Sequence, residues 1–145
     1  MERHIQTVEK LEVEARSFLS ALPLRQEGAT LVTLSGELGA GKTAFAKALA
    51  KALGVEEEVT SPTFVLEKIY ALSAGAPFAR LAHIDAYRLS RGADLAPLGF
   101  SELIKDASNF ILLEWPEKVK DALPEPAVCI TITAEEDGSR TLSYA

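Results

Sequence analysis

The 145 residues include one cysteine, Cys129, which excludes an intrachain disulfide and a cysteine-rich metal site. Cys129 lies in an apolar, alternating stretch and reads as a core thiol, because free cysteine packs as a small hydrophobe. Basic residues are also few: 15 Lys and Arg against 21 Asp and Glu leave a net charge of −6. That balance argues against a dedicated nucleic-acid binder, whose affinity rests on a basic face that releases counterions. It leaves open RNA contact through a partner. No apolar run approaches the ~20 residues that span a bilayer, and Met1 to Lys10 lacks the apolar stretch of a signal peptide. A soluble, cytoplasmic protein without membrane contact is the expectation. His and Cys nowhere have zinc-ligand spacing, and no G-x-S-x-G nucleophile elbow occurs. Internal repeats, low-complexity stretches and linkers are absent as well, so residues 1–145 read as one domain. No heptad pattern sets an oligomeric state.

Apolar residues, in contrast, are plentiful. At 48% hydrophobic content the chain can bury a sizeable core, which excludes a disordered reading. Val8, Leu11, Ala15, Phe18, Leu19 and Leu22 recur at helical spacing, with Thr7 as N-cap and Pro23 as stop. Leu31-Val32-Thr33-Leu34 reads as a buried strand, and Ala44 to Leu53 as a helix ended by Gly54. Phe64 to Tyr70, Arg80 to Ile84 and Phe110 to Leu113 read as strands, and Ser73 to Pro77 as a hairpin connection. Leu95 to Ile104 reads as short helix and loop. Ala127 to Thr133 alternates like a strand and turns at Asp137-Gly138 into Arg140 to Tyr144. The sum is an α/β fold with a mixed sheet, since some connections are too short for parallel crossovers.

Between the first buried strand and its helix stands Gly36-Glu37-Leu38-Gly39-Ala40-Gly41-Lys42-Thr43, which satisfies G-x-x-x-x-G-K-[ST] without exception. Glycines let backbone N–H groups approach phosphate oxygens closely, and the helix N-terminus adds partial positive charge. Lys42 is placed to reach the β- and γ-phosphates and the Thr43 hydroxyl to ligate Mg²⁺. A catalytic carboxylate is expected at the end of an apolar strand, and both Asp85 and Glu114 qualify. Glu37 reads either as an exposed loop residue or as an acid that orients water. His83 is either a satisfied strand histidine or a site residue, Trp115 either packing or function, and Arg88 either a phosphate partner or a carboxylate partner.

The P-loop is followed in order by Ser61-Pro62-Thr63-Phe64, His83-Ile84-Asp85-Ala86-Tyr87-Arg88-Leu89 and Glu114-Trp115-Pro116. Over about Gly28 to Pro126 this series resembles the bacterial TsaE (YjeE) family, small ATPases required for threonylcarbamoyladenosine modification of tRNA. The P-loop is common, whereas His-x-Asp-x-Tyr-Arg-Leu combined with Glu-Trp-Pro is far more specific. The resemblance implies a P-loop fold in three layers with a largely parallel sheet, ATP and Mg²⁺ as cofactors, and work with a TsaB–TsaD-type complex beside which tRNA contact is indirect. It implies that Glu37, Leu38, Gly39, Ala40, Gly41, Lys42 and Thr43 hold the nucleotide. Thr43 and Glu114 would hold Mg²⁺, and Asp85 would lie near the γ-phosphate, so that Lys42, Asp85 and Glu114 form the catalytic set. Thr63 would belong to a γ-phosphate-sensing loop, Trp115 would stand near the nucleotide, and Arg140 would match a C-terminal arginine that approaches it. Where the family usually carries aspartate, this chain has Glu37. The competing readings are a small-molecule P-loop kinase, for which Arg88 and Arg91 alone make a thin lid, and a nucleotide-operated binding module.

Overall fold

A computed structural model describes residues 1–23, 27–59 and 66–145. Seven strands form one sheet: β1 (Glu2–Ile5), β2 (Thr30–Ser35), β3 (Glu67–Ala71), β4 (Arg80–Asp85), β5 (Asn109–Glu114), β6 (Val128–Ala134) and β7 (Arg140–Tyr144). They lie in the order β1-β7-β6-β2-β5-β4-β3. The four inner strands β6, β2, β5 and β4 are mutually parallel, while β3, β7 and β1 add antiparallel edges. The α/β fold with a mixed sheet and a parallel centre is as expected. β1 was not legible in advance, because only Ile5 of its four residues is buried.

Strands β2 and β5 read as continuous apolar runs because both their faces are covered. On one face Val32, Leu34, Phe110, Leu112 and Ile130 pack with Phe45 and Leu49 of α2 (Lys42–Leu53) and with Phe18 of α1 (Val8–Ala21). On the other, Leu31, Ile84, Ile111 and Leu113 pack against Leu95, Phe100 and Val119. These come from short pieces: a 3₁₀ stretch at Gly92–Leu98, α3 (Phe100–Leu103) and 3₁₀ turns at Pro116–Lys118 and Lys120–Ala122. The three layers are therefore unequal, with two full helices on one side only.

Local signals fix the helix ends. Thr7 Oγ1 accepts a hydrogen bond from Lys10 N at 3.1 Å and starts α1. Gly54, at φ 94°, ends α2 while its N–H and that of Val55 return to the Lys51 and Ala50 carbonyls. Lys51 of α2 meets Glu12 of α1 at 2.6 Å.

One expectation fails. Cys129 is exposed, not a core thiol. In the alternation of β6, Ile130 and Ile132 face the core, which puts Cys129, Thr131 and Thr133 on the face that no helix covers.

Candidate nucleotide site

The site is built at the carboxyl ends of parallel strands. Registration of β4 on β5 sets Asp85 opposite Glu114, and β2 on β5 sets Leu34 opposite Glu114. Backbone bonds tie these ends together: Trp115 N donates to Leu34 O at 3.2 Å, Ala86 N to Glu114 O at 3.0 Å and Asp85 N to Leu66 O at 2.8 Å. The loop from Gly36 to Gly41 follows β2 and delivers Lys42 as the first residue of α2.

Four polar side chains are buried here where a chain of this composition would otherwise keep apolar ones. Relative exposure is 6% at Lys42, 1% at His83, 4% at Asp85 and 3% at Glu114. The Lys42 Nζ donates to the Gly36 carbonyl and, at 2.8 Å, to the Glu37 carbonyl, and lies 4.5 Å from the centre of the Trp115 ring. Burial pulls the Lys42 pKa below its ordinary value, against the opposing pull of the Glu114, Asp85 and Glu117 carboxylates. Asp85 Oδ1 accepts from Tyr87 N at 3.0 Å. Glu114 Oε2 lies 2.6 Å from His83 Nε2, one strand away.

Two glycines are obligatory. A Cβ on Gly36 would stand 2.6 Å from the Ile132 carbonyl oxygen, and one on Gly41, at φ 109°, 3.0 Å from Arg140 Nε. No side chain caps α2, so its first N–H groups are left for an anion. These features fit a phosphate group. Among the described residues no three His, Cys, Asp or Glu side chains cluster as a self-sufficient metal site. A cation here would need phosphate oxygens besides Thr43 and Glu114, which is the habit of Mg²⁺.

The remaining expected residues sort as follows. Glu37, Leu38 and Gly39 are exposed, with Leu38 at 70%, while Ala40 is buried; the Glu37 carboxyl thus sits in an exposed loop. Thr43 is exposed at the start of α2. Trp115 has a left-handed backbone at φ 60°, a conformation held at some cost in a non-glycine residue, and its ring is tilted on Tyr87 at 5.0 Å. Arg140 reaches the loop from β7, its Nε nearest to Gly41. Together with Ile5, Val8, Leu11, Ala44 and Leu142 it lines a largely apolar cleft of about 190 Å³ beside the loop. Thr63, like the whole Ser61–Thr63 stretch and the start of the expected strand at Phe64, lies outside the described residues. Sequence reasoning left two features unresolved: the His83–Glu114 pair, which depends on strand order, and the Tyr87 face against Trp115. His83 is buried and paired. Neither a periodicity nor a spacing signals that.

No helix among the described residues is long and apolar enough to cross a membrane. Residues 5–142 match the family described as Threonylcarbamoyl adenosine biosynthesis protein TsaE. Relatives named tRNA threonylcarbamoyladenosine biosynthesis protein TsaE include one from Treponema pallidum, 40% identical over 84% of this chain and 85% of its own length. Another, from Streptomyces coelicolor, is 43% identical over 70% of this chain and 67% of its own. A third, from Rickettsia bellii, is 32% identical over 93% of this chain and 90% of its own. Among solved structures, Bacillus subtilis YdiB superposes with a TM-score of 0.75 at 25% identity, covering 99% of this chain and 83% of that one.

Proposed function

From the premise that this chain belongs to the TsaE family, we propose that it binds and hydrolyses ATP in support of threonylcarbamoyladenosine modification of tRNA beside the anticodon. It would act in the cytoplasm with a TsaB–TsaD-type complex and would not be the threonylcarbamoyl transferase. The single observation that carries the nucleotide reading is the burial of Lys42, Asp85 and Glu114 together at the strand ends behind a glycine loop. A core of this kind has no structural need for three such groups, and buried charges are retained where they meet a ligand or each other.

In this reading the backbone from Glu37 to Gly41 and the N-terminus of α2 hold the phosphates, and Lys42 neutralises charge on the transferred group. Thr43 and Glu114 hold Mg²⁺, which when bound supplies charge neutralisation at phosphate oxygens. Asp85 positions the attacking water. The apolar cleft beside Gly41, with Arg140 over it, accepts the base, and Trp115 shields the phosphate end from solvent. Thr63 senses the γ-phosphate. With a net charge of −6, the tRNA is contacted through the partner complex.

The test is steady-state ATP hydrolysis by the purified chain, alone and with the TsaB–TsaD pair. Weak activity that rises with the pair is the expected result. Turnover indifferent to the pair would move the assignment to a small-molecule kinase, to be pursued with candidate acceptors.

A further inference from the structure

The nucleotide reading assigns no task to His83, although it is the most deeply buried titratable group at the site. We propose that His83 is a positioning residue: it donates its Nε2–H to Glu114 Oε2, fixes the carboxylate, and so presents the other oxygen for the magnesium that accompanies the nucleotide. The proposal rests on the reading that Glu114 is a magnesium ligand.

Three observations carry it. First, the 2.6 Å contact joins two adjacent parallel strands, with Glu114 opposite Asp85 and His83 opposite Leu112. His83, Asp85 and Glu114 lie on the sheet face that α2 covers, so the imidazole stands behind Glu114 as seen from the strand ends. Second, an ionised carboxylate only accepts hydrogen bonds, so His83 must carry its proton on Nε2. Among the described residues it is the one hydrogen-bond partner of the Glu114 side chain, and it engages Oε2 alone. Third, His83 interrupts Leu81-Ala82-His83-Ile84, a stretch otherwise apolar and buried. A buried polar pair contributes little net stability compared with apolar residues of the same volume, so packing alone does not account for it. Ligand carboxylates are themselves commonly held by hydrogen bonds from a second layer, whose loss lowers metal affinity.

Trp115, the single tryptophan, lies 4.5 Å from the Lys42 ammonium, and its fluorescence gives a binding signal independent of turnover. ADP is titrated into the chain with excess Mg²⁺ and again with EDTA, for the native protein, His83→Leu and His83→Gln. The expected result is a 10- to 100-fold loss of magnesium-dependent affinity in His83→Leu, on the order of other losses in this layer. ADP affinity in EDTA stays unchanged, and His83→Gln, whose amide keeps a donor, recovers most of the loss. Should His83→Leu fail to fold, His83→Asn, polar but too short to reach Glu114, carries the same expectation. The proposal is overturned if the variants keep the full magnesium effect, or if affinity falls equally with and without the metal, as a packing role would produce. A native chain that binds ADP without any magnesium effect would instead remove the metal reading and this proposal with it.

Discussion

Strands β4 and β5 on one side of the central strand β2 and strand β6 on its other side each carry polar residues, and they do so in opposite ways. In β6 the polar side chains alternate with Ile130 and Ile132, so Cys129, Thr131 and Thr133 all face solvent. In β4 and β5 His83 interrupts, and Asp85 and Glu114 end, runs that are buried on both faces, and all three are almost inaccessible. Alternation places a polar group in water at no cost. Interruption of a continuous apolar run forces it to find a partner or a ligand. The contrast teaches that polarity in a strand is informative about function only when the phase of the strand gives it no route to solvent.

The comparison breaks first where the core at β5 is emptied. Phe110→Ala removes a fully buried ring packed edge-on against Phe78 at 5.2 Å; the expected loss is about 4 kcal/mol, read as a shift in the urea midpoint. A loss no larger than that of a substitution on the exposed side of β6 would mean that Phe110 is not part of the core. Next, Glu114→Ala leaves the His83 donor buried without its acceptor and should destabilise by about 2 kcal/mol, while magnesium-dependent hydrolysis drops further than magnesium-free nucleotide binding. Thr7→Ala takes the cap from α1, for about 1 kcal/mol by thermal denaturation. On the exposed side of β6, Cys129→Ser should change stability by no more than about 0.5 kcal/mol, and the native thiol should react with an alkylating reagent as readily as in the unfolded chain. Protection of that thiol until unfolding would show the β6 face to be covered.

How legible all this was follows from the same distinction. Leu31 to Leu34, Phe110 to Leu113 and the glycine loop announced β2, β5 and the head of α2, because continuous apolar runs and a fixed loop spacing are local properties. Asp85 and Glu114 were legible as strand-end acids for the same reason. The alternation around Cys129 was legible too, but its phase was not: the cysteine was expected in the core and stands on the exposed side of β6 with Thr131 and Thr133. What the sequence could not carry is pairing. His83 and Glu114 are 31 residues apart and meet only because β4 and β5 are parallel neighbours in one register. Likewise Arg140 reaches Gly41 only because β7, at the far end of the chain, returns beside β6. Edge strand β1 gave no signal, with a single buried residue to mark it.

The central claim is that the buried polar groups at the strand ends form an ATP site organised by Lys42, and calorimetric titration of ATP with Mg²⁺ into the native chain and into Lys42→Ala tests it most directly. The account predicts saturable one-site binding, weakened in Lys42→Ala by about 2 kcal/mol through the loss of a charge-assisted contact. Equal affinity in the two proteins would contradict it.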